Sequence, residues 1–197
     1  MQHSHGPRSR TEVALTFHGA GDPLIARQLL AIFAAHRAKV TVLAVGTWLA
    51  ANPTIAPEII GAGHEVGNHT YHHLDIDSLG VSDARAEIVR CRDLLVSQLG
   101  SGGLLFRQSQ SQTATPLVRR LAGAAGYPVC LSYDVDSLDY TDPGPAAIRR
   151  NVASAGPGSI VSMHFGHAGT VTAMPQVLAD LLARGLQPVT ASRLLRA

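Results

Sequence analysis

The sequence predicts an α/β fold, with a parallel sheet that is either open or closed into a barrel. From residue 13 onward, short β-branched apolar runs alternate with longer stretches of helical periodicity. The chain has 197 residues, 46% of them hydrophobic, which is enough for one sizeable core. No linker, low-complexity segment or internal repeat divides the alternation. We therefore expect a single domain over residues 13–197.

Seven apolar runs are predicted to be strands, because each is short, rich in β-branched residues and followed by turn residues. In chain order they are VALTF, KVTVLAV, HEVGNH, LLF, PVCLSYDV, SIVSMHF and LQPVTA.

Four longer segments between these runs show helical periodicity. They are PLIARQLLAIFAAHR, VSDARAEIVRCRDLLVSQLG, TPLVRRLAGAAG and MPQVLADLLARG. The second carries one apolar stripe, formed by Ile88, Cys91, Leu94, Leu95 and Leu99. Several of these helices are expected to end at glycine, the residue that best tolerates a left-handed cap, at Gly100, Gly126 and Gly185.

Composition excludes several classes of protein. The net charge is only +2, the basic residues form no cluster, and 5% of residues are aromatic, so nucleic-acid binding is not expected. No apolar run reaches the roughly 18 residues that span a bilayer, so no integral membrane segment is expected. The start, MQHSHGPRSR, lacks the apolar centre of a signal peptide. Residues 1–12 are interpreted as a polar leader, a tag remnant or the stub of a removed signal.

The chain contains two cysteines, Cys91 and Cys130. Two are too few for a disulfide scaffold or a four-thiolate metal site. Two buried thiols are expected, with a single bridge as the alternative.

Polar side chains with catalytic potential follow five of the predicted strands. They are His18, His69, Arg107, the pair Asp136 and Asp139, and His164. The carboxyl ends of parallel strands meet at one rim, where α/β folds build their sites. The sequence therefore predicts a functional site on this rim.

His69 and His73, in NHTYHH, are four residues apart. One helical turn after the strand would place both imidazoles on one face, a spacing that suits two ligands of zinc or a similar divalent ion. The alternative is a surface pair without a metal. His72 is expected to be solvated, and His64, at a strand start, to have a structural role.

Two further segments offer acid–base chemistry. His164 interrupts an apolar strand, and a carboxylate such as Asp139 could hold it and suit it for general-acid catalysis. The alternatives are a buried structural histidine and a polar turn of helix-capping aspartates. Arg107 is expected to be a fixed cation beside a carboxylate, or else part of a surface salt bridge.

From about Val13 to Leu195 the chain resembles the polysaccharide deacetylases, the NodB-homology domains of carbohydrate esterase family 4. Five motifs carry the resemblance, in the family's order and spacing: ALTFHGAGDP, GHEVGNHTYHH, FRQSQ, YDVDSLDY and GSIVSMHFGH. The second is the closest match. In the third, Gln108 departs from the usual proline. In the fourth, Tyr140 stands at the family's tryptophan position and so implies a substrate-binding side chain.

The resemblance implies a distorted (β/α)7 barrel and a divalent metal, with zinc as the expected ion. It implies that His69 and His73 bind the metal and that Asp139 orients His164, the acid that protonates the leaving amine. It also implies that Arg107 tethers the catalytic carboxylate of the first motif.

That carboxylate is missing here, because His18 and Gly19 stand where the family has two aspartates. Two assignments compete for the missing roles. Either His18 is the base and Asp22 folds back along the glycine-rich turn to bind the metal, or His18 is the third metal ligand and Asp22 is the base. The first is preferred, since it keeps His18 in the position of the base that it replaces.

The expected function is metal-dependent removal of N-acetyl groups from a chitin-like or peptidoglycan-like polysaccharide. The alternative is a catalytically impaired carbohydrate-binding member of the same fold, which the altered first motif favours. A third interpretation, an open-sheet esterase with a serine nucleophile, is weak, because no Gly-x-Ser-x-Gly segment occurs. The family resemblance implies that the protein is secreted or associated with the cell envelope.

Overall fold

The computed structural model describes residues 1–196. The strands are β1 (Gln2–His3), β2 (Glu12–Gly19), β3 (Thr41–Ala44), β4 (Glu65–Asn68), β5 (Leu105–Phe106), β6 (Val129–Leu131), β7 (Val135–Asp136), β8 (Ile160–His164) and β9 (Gln187–Pro188). The helices are α1 (Pro23–Ala35), α2 (Gly46–Ala51), α3 (Ile55–Gly61), α4 (Val81–Leu99), α5 (Pro116–Ala124), α6 (Pro145–Val152), α7 (Ala168–Ala183) and α8 (Ala191–Leu195).

The strands pair in parallel in the order β1-β6-β5-β4-β3-β2-β8-β7, and β9 pairs with β2. An isolated bridge between His5 and Ser159 links the chain after β1 to the start of β8, so the two ends of the sheet approach each other. The predicted α/β class, with a parallel sheet curled toward a barrel, is confirmed. The predicted fifth strand, PVCLSYDV, is divided into β6 and β7.

Part of the segment interpreted as a polar leader, residues 1–12, is packed into the fold. β1 pairs with β6, where Gln2 lies opposite Cys130. Gly6 is buried so closely that a Cβ atom there would lie 2.7 Å from Leu194 Cγ. The segment was missed because a two-residue strand of Gln and His carries no apolar signal, although its backbone pairs as well as any other.

Alternation along the central strands decides which side chains reach the site. In β2, Val13, Leu15 and Phe17 pack against the surrounding helices in the main core. The intervening side chains point to the opposite face, because successive residues of a strand alternate. Ala14 on that face packs in a separate cluster within the barrel, closed from below by α8. His18 shares this inner face, at the carboxyl end of the strand.

The predicted glycine caps are confirmed. Gly100, Gly126 and Gly185 all have positive φ, at 73°, 98° and 73°. Cys91 and Cys130 are both buried free thiols, as expected. Among the described helices, none has the combined length and apolarity needed to cross a bilayer.

His64, expected to be structural, is buried near the start of β4. Its Nδ1 accepts a hydrogen bond from the backbone N–H of Val40 at 3.2 Å. Burial, and then the charge of Lys39, lower the pKa of His64 to about 4. The ring is therefore neutral near pH 7, and only the neutral ring leaves Nδ1 free to accept the hydrogen bond from Val40.

Candidate active site

Three histidines meet at the carboxyl rim of the sheet. Nε2 of His69 lies 3.0 Å from Nδ1 of His18 and 3.0 Å from Nε2 of His73. One nitrogen from each ring can be chosen so that all three lie within 4.8 Å of one another. His18 comes from the end of β2 and the other two from the loop after β4, so neighbouring parts of the rim supply the cluster. We call these three residues the histidine cluster.

His69 and His73 meet without the helical turn that their spacing predicted. The loop is irregular, and Thr70 and His73 have φ values of 64° and 60°. Asn68 begins the turn by accepting a hydrogen bond from the N–H of Thr70 through its side-chain oxygen at 2.8 Å. The helical part of the prediction is therefore wrong, because local side-chain bonds and left-handed residues replace the helical hydrogen bonds.

A buried carboxylate on α4 holds this loop. Glu87 is 5% exposed and accepts hydrogen bonds from the backbone N–H groups of Tyr71 (3.1 Å) and His72 (2.7 Å). Its other oxygen lies 2.6 Å from Nδ1 of His72. His72 is thus exposed to solvent, as expected, and is also paired with this carboxylate. Sequence reasoning missed Glu87. The available signal was one acidic residue next to Ile88, which belongs to the apolar stripe of α4.

The electrostatics of the cluster keep its rings neutral. Burial, followed by the mutual charge of the neighbouring rings, lowers the pKa of His18 and of His69. Burial and then the charge of His164 lower the pKa of His73. Neutral imidazole is the form that binds a metal ion.

The hydrogen bonds around the cluster leave suitable nitrogens free. Nδ1 of His69 donates to the carbonyl of Arg107 at 3.0 Å, which leaves Nε2 with its lone pair. Nε2 of His18 lies 3.4 Å from Oγ of Ser162, on the side of the ring away from the cluster. Ligand nitrogens on one tetrahedral zinc ion are about 3.3 Å apart, so the three-histidine set fits such an ion.

Asp22 does not join the cluster, which contradicts the expectation that it folds back to the metal site as a ligand or base. It is exposed and caps α1, where its Oδ1 accepts the N–H of Leu24 at 2.8 Å. The glycine-rich turn serves a different purpose. A Cβ at Gly21 would lie 2.7 Å from the Cα of Gly166, so the glycines let the loops after β2 and β8 touch.

Packing against neighbouring side chains explains why residue 19 is a glycine. It follows His18 and so points to the helix-covered face, where a Cβ atom would lie 2.9 Å from Val42 and 3.0 Å from the ring of Trp48. The indole N–H of Trp48 donates to the carbonyl of Gly21 at 2.9 Å, which fixes the ring in that position. A side chain at residue 19 would displace this packing.

We expect Asp22→Ala to lower the free energy of unfolding by about 1 kcal/mol, the usual cost of losing an N-cap. Metal content should stay at the wild-type level, because the histidine cluster does not include Asp22. Chemical denaturation and elemental analysis measure the two effects, and Asp22→Asn, which still caps a helix, is the control. Loss of metal in both variants would restore the ligand role to Asp22.

The expected pairing of Asp139 with His164 is present. Asp139 is fully buried, and its Oδ1 lies 2.7 Å from Nδ1 of His164. Its Oδ2 accepts from the backbone N–H of His164 at 2.9 Å and from Oγ1 of Thr170 at 2.8 Å. Burial raises the pKa of Asp139, but these hydrogen bonds outweigh it, and the pKa is lowered overall. An ionised carboxylate therefore holds the ring, with Nε2 left for chemistry. The role of His164 as an acid stays a prediction.

Arg107 is not beside a carboxylate, which corrects that expectation. It is 1% exposed and donates to the carbonyls of Leu131 (2.9 Å) and Ser132 (3.2 Å) and to Oγ1 of Thr16 (2.8 Å). Among residues 1–196 its Nη1 has no hydrogen-bond partner. Burial lowers the pKa of Arg107 to about 10, partly offset by Tyr133 and Asp136, so the side chain remains charged at pH 7.

His18 and His73 of the cluster, together with His164, line one pocket of about 220 Å³, here called the active-site pocket. The rings of His18 and His164 are 4.2 Å apart, since the two residues are partners in the β2–β8 register. Tyr140, the expected substrate-binding residue, lines the same pocket, with its ring 5.3 Å from that of His164. Asp136, predicted at this rim together with Asp139, also lines the pocket.

A larger cavity of about 760 Å³ lies at the opposite end of the sheet, around Glu12, Lys39 and Gln187. Its larger volume alone does not identify this cavity as the functional site. The ammonium of Lys39 donates to the carbonyl of Ala62 at 2.6 Å, and Glu12 is paired with Arg193. These groups have structural partners, and no member of the histidine cluster lines the cavity.

Comparison with known proteins agrees with this geometry. The family model described as "Polysaccharide deacetylase" matches residues 5–130, more than half of the chain. A peptidoglycan-N-acetylglucosamine deacetylase from Bacillus cereus is 30% identical over 195 residues, covering 96% of this chain and 91% of that protein. A chitooligosaccharide deacetylase from Sinorhizobium fredii is 28% identical over 164 residues, covering 81% of this chain and 76% of the relative.

A solved structure shares the fold. A CE4 family pseudoenzyme from Bacillus anthracis superposes with a TM-score of 0.93 at 23% identity, over 100% of this chain and 69% of that one. Its low identity supports the architecture alone. With the matched family model and the 30% identical relative, the conclusion is that this chain belongs to the polysaccharide deacetylase family.

Proposed function

We propose that the protein is a metal-dependent hydrolase that removes N-acetyl groups from an N-acetylated polysaccharide of the chitin or peptidoglycan type. One observation carries the proposal: two members of the neutral histidine cluster, His18 and His73, line the same pocket as the carboxylate-held His164. A carbohydrate-binding groove needs neither feature, whereas amide hydrolysis uses both. The named activities of the two relatives support the substrate class.

In this proposal the metal is a divalent ion, with zinc best matched to three imidazoles. His69 and His73 each contribute Nε2, and His18 contributes Nδ1. When bound, such an ion supplies Lewis-acid polarisation of the acetyl carbonyl and of water. This is the second assignment for His18, and the cluster geometry favours it over the role of base.

His164 is the proposed general acid. Its Nδ1–H donates to Asp139, so in the imidazolium form the proton available for transfer is the one on Nε2. From that position it protonates the sugar nitrogen as the amide bond breaks. The buried carboxylate fixes the orientation of the ring and balances its positive charge.

Asp136 is the proposed general base. With Asp22 at a helix cap and His18 in the cluster, the first motif no longer supplies one. Asp136 is the only carboxylate among the described residues that line the active-site pocket. Its Oδ1 accepts from the N–H of Leu138 at 2.9 Å, which leaves Oδ2 to take a proton from the attacking water.

A second candidate is a catalytically impaired carbohydrate-binding protein. The absence of both aspartates from the first motif favours it, and a side chain at residue 19 would be obstructed by Val42 and Trp48. In either case a glycan is the proposed partner. The cell-wall substrate in the name of the Bacillus cereus relative supports a secreted or envelope location.

Acetate release distinguishes the two candidates. We expect the purified, zinc-loaded protein to release acetate from N-acetylglucosamine oligomers, and Asp136→Asn to lower kcat by about a hundredfold, the usual effect of losing a general base. Metal content in Asp136→Asn should match wild type, because Asp136 is outside the cluster. Glycan binding without acetate release by wild type would select the impaired binding protein instead.

A further inference from the structure

The active-site pocket contains a buried amide whose orientation is determined by its surroundings. Gln108 follows Arg107 at the end of β5, is 1% exposed and lines the pocket. Its Nε2 donates to the carbonyl of Ser111 at 3.0 Å. A carbonyl oxygen can only accept, so the amide cannot be reversed without losing this bond. Oε1 must therefore point away from Ser111.

That oxygen has no donor within the described part of the protein. Among residues 1–196, Oε1 of Gln108 is one of four buried side-chain atoms without a hydrogen-bond partner. A buried acceptor left unpaired destabilises a protein, and native structures rarely keep one without a reason. The other three atoms belong to Thr70, Gln98 and Arg107, and none of these residues lines the active-site pocket. Of the four residues, Gln108 alone lines this pocket.

We propose that Gln108 is a specificity-determining residue whose Oε1 accepts a hydrogen bond from a neutral O–H or N–H group of the sugar bound in the active-site pocket. This inference rests on the proposed function, because it takes the N-acetylated sugar as the ligand. An amide oxygen cannot pair with an acceptor-only group. The position therefore selects a hydroxyl or amide N–H and disfavours a carboxylate or phosphate at the same place.

The neighbouring side chains agree with a ligand rich in polar groups. Gln112 is held in the same loop by a bond from its Nε2 to the carbonyl of Tyr133 at 3.1 Å. Gln110 lies with its Nε2 3.3 Å from Nδ1 of His73. The loop thus presents amides to the pocket that Tyr140 also lines. A wall of this kind matches the hydroxyl-rich edge of a sugar.

Gln108→Met tests the proposal, because methionine keeps the size of the side chain and removes the acceptor. The probe is the N-acetylglucosamine tetramer, with Kd measured by calorimetry and kcat and KM by acetate release. We expect Kd and KM to rise about tenfold, the value of one hydrogen bond to a buried acceptor, with kcat changed less than about twofold. Gln98→Met is the matched control, since it removes the same kind of amide, and its Kd should equal that of wild type.

A wild-type Kd in a folded Gln108→Met protein would overturn the inference and leave the hydrolase proposal intact. Tetramer binding by wild type without acetate release would overturn the hydrolase proposal, while a raised Kd in Gln108→Met would still support this inference. If the variant does not fold, a crystal structure of wild type with the tetramer decides. A sugar O–H or N–H within about 3.2 Å of Oε1 supports the proposal, and a water there, with no sugar contact, contradicts it.

Discussion

Replacing His69 with alanine is expected to abolish both metal binding and acetate release. His69 is the central member of the histidine cluster, with Nε2 3.0 Å from a nitrogen of each neighbour. Its removal leaves two ligands where a catalytic zinc site needs three. Elemental analysis of the dialysed protein should fall from about one ion per chain to near zero. The same loss is expected for His73→Ala.

His36→Ala is the control for this experiment, since His36 lies at the end of α1 and does not line the active-site pocket. It should keep the wild-type metal content. Unchanged occupancy in both His69→Ala and His73→Ala would remove the basis of the metal site.

The second large effect is expected from Asp139→Asn, which should lower kcat by about two to four orders of magnitude. The substituted amide would keep the shape of the side chain but lose the negative charge that holds Nδ1 of His164 as a donor. The ring would then present the wrong tautomer or orientation at Nε2. Metal content should not change, because Asp139 is not part of the histidine cluster.

Non-additivity separates a positioning role from a general loss of stability. If Asp139 acts through His164, the double variant Asp139→Asn with His164→Ala should be no slower than His164→Ala alone. A double variant slower by the product of the two single effects would contradict the pairing. A wild-type rate in Asp139→Asn would do so as well.

Much of the fold was predictable because its signals are local. Alternation of apolar strands and amphipathic helices is a property of neighbouring residues, and it correctly indicated a parallel α/β sheet. Placement of His18 and His164 at the same rim followed from a topological rule, since parallel strands share their carboxyl end. The rule depends on strand direction alone and not on the side-chain contacts at the rim.

The sequence also indicated the Asp139–His164 pair and two members of the histidine cluster, because their motifs resemble a family pattern. It misplaced Asp22, and the reason is physical. A carboxylate before a proline-started helix caps that helix through a bond two residues away, which needs no tertiary structure. For Asp22 to fold back into the site, its loop would have to give up the close approach of Gly21 to Gly166. No sequence pattern reveals that approach.

Only the tertiary structure decided how the altered first motif is accommodated. His18 becomes a neighbour of His69 because β2 and β4 both flank β3 and direct their ends to one point. Gly19 fits because Trp48, on α2, occupies the space a side chain would need. Glu87 holds the loop of the histidine cluster from a helix that follows it, and Gln108 is buried with an unpaired oxygen. These contacts join residues distant in sequence, and their geometry depends on the packing of whole elements. Local patterns therefore determined the elements and the reactive residue types, whereas packing determined which atoms meet.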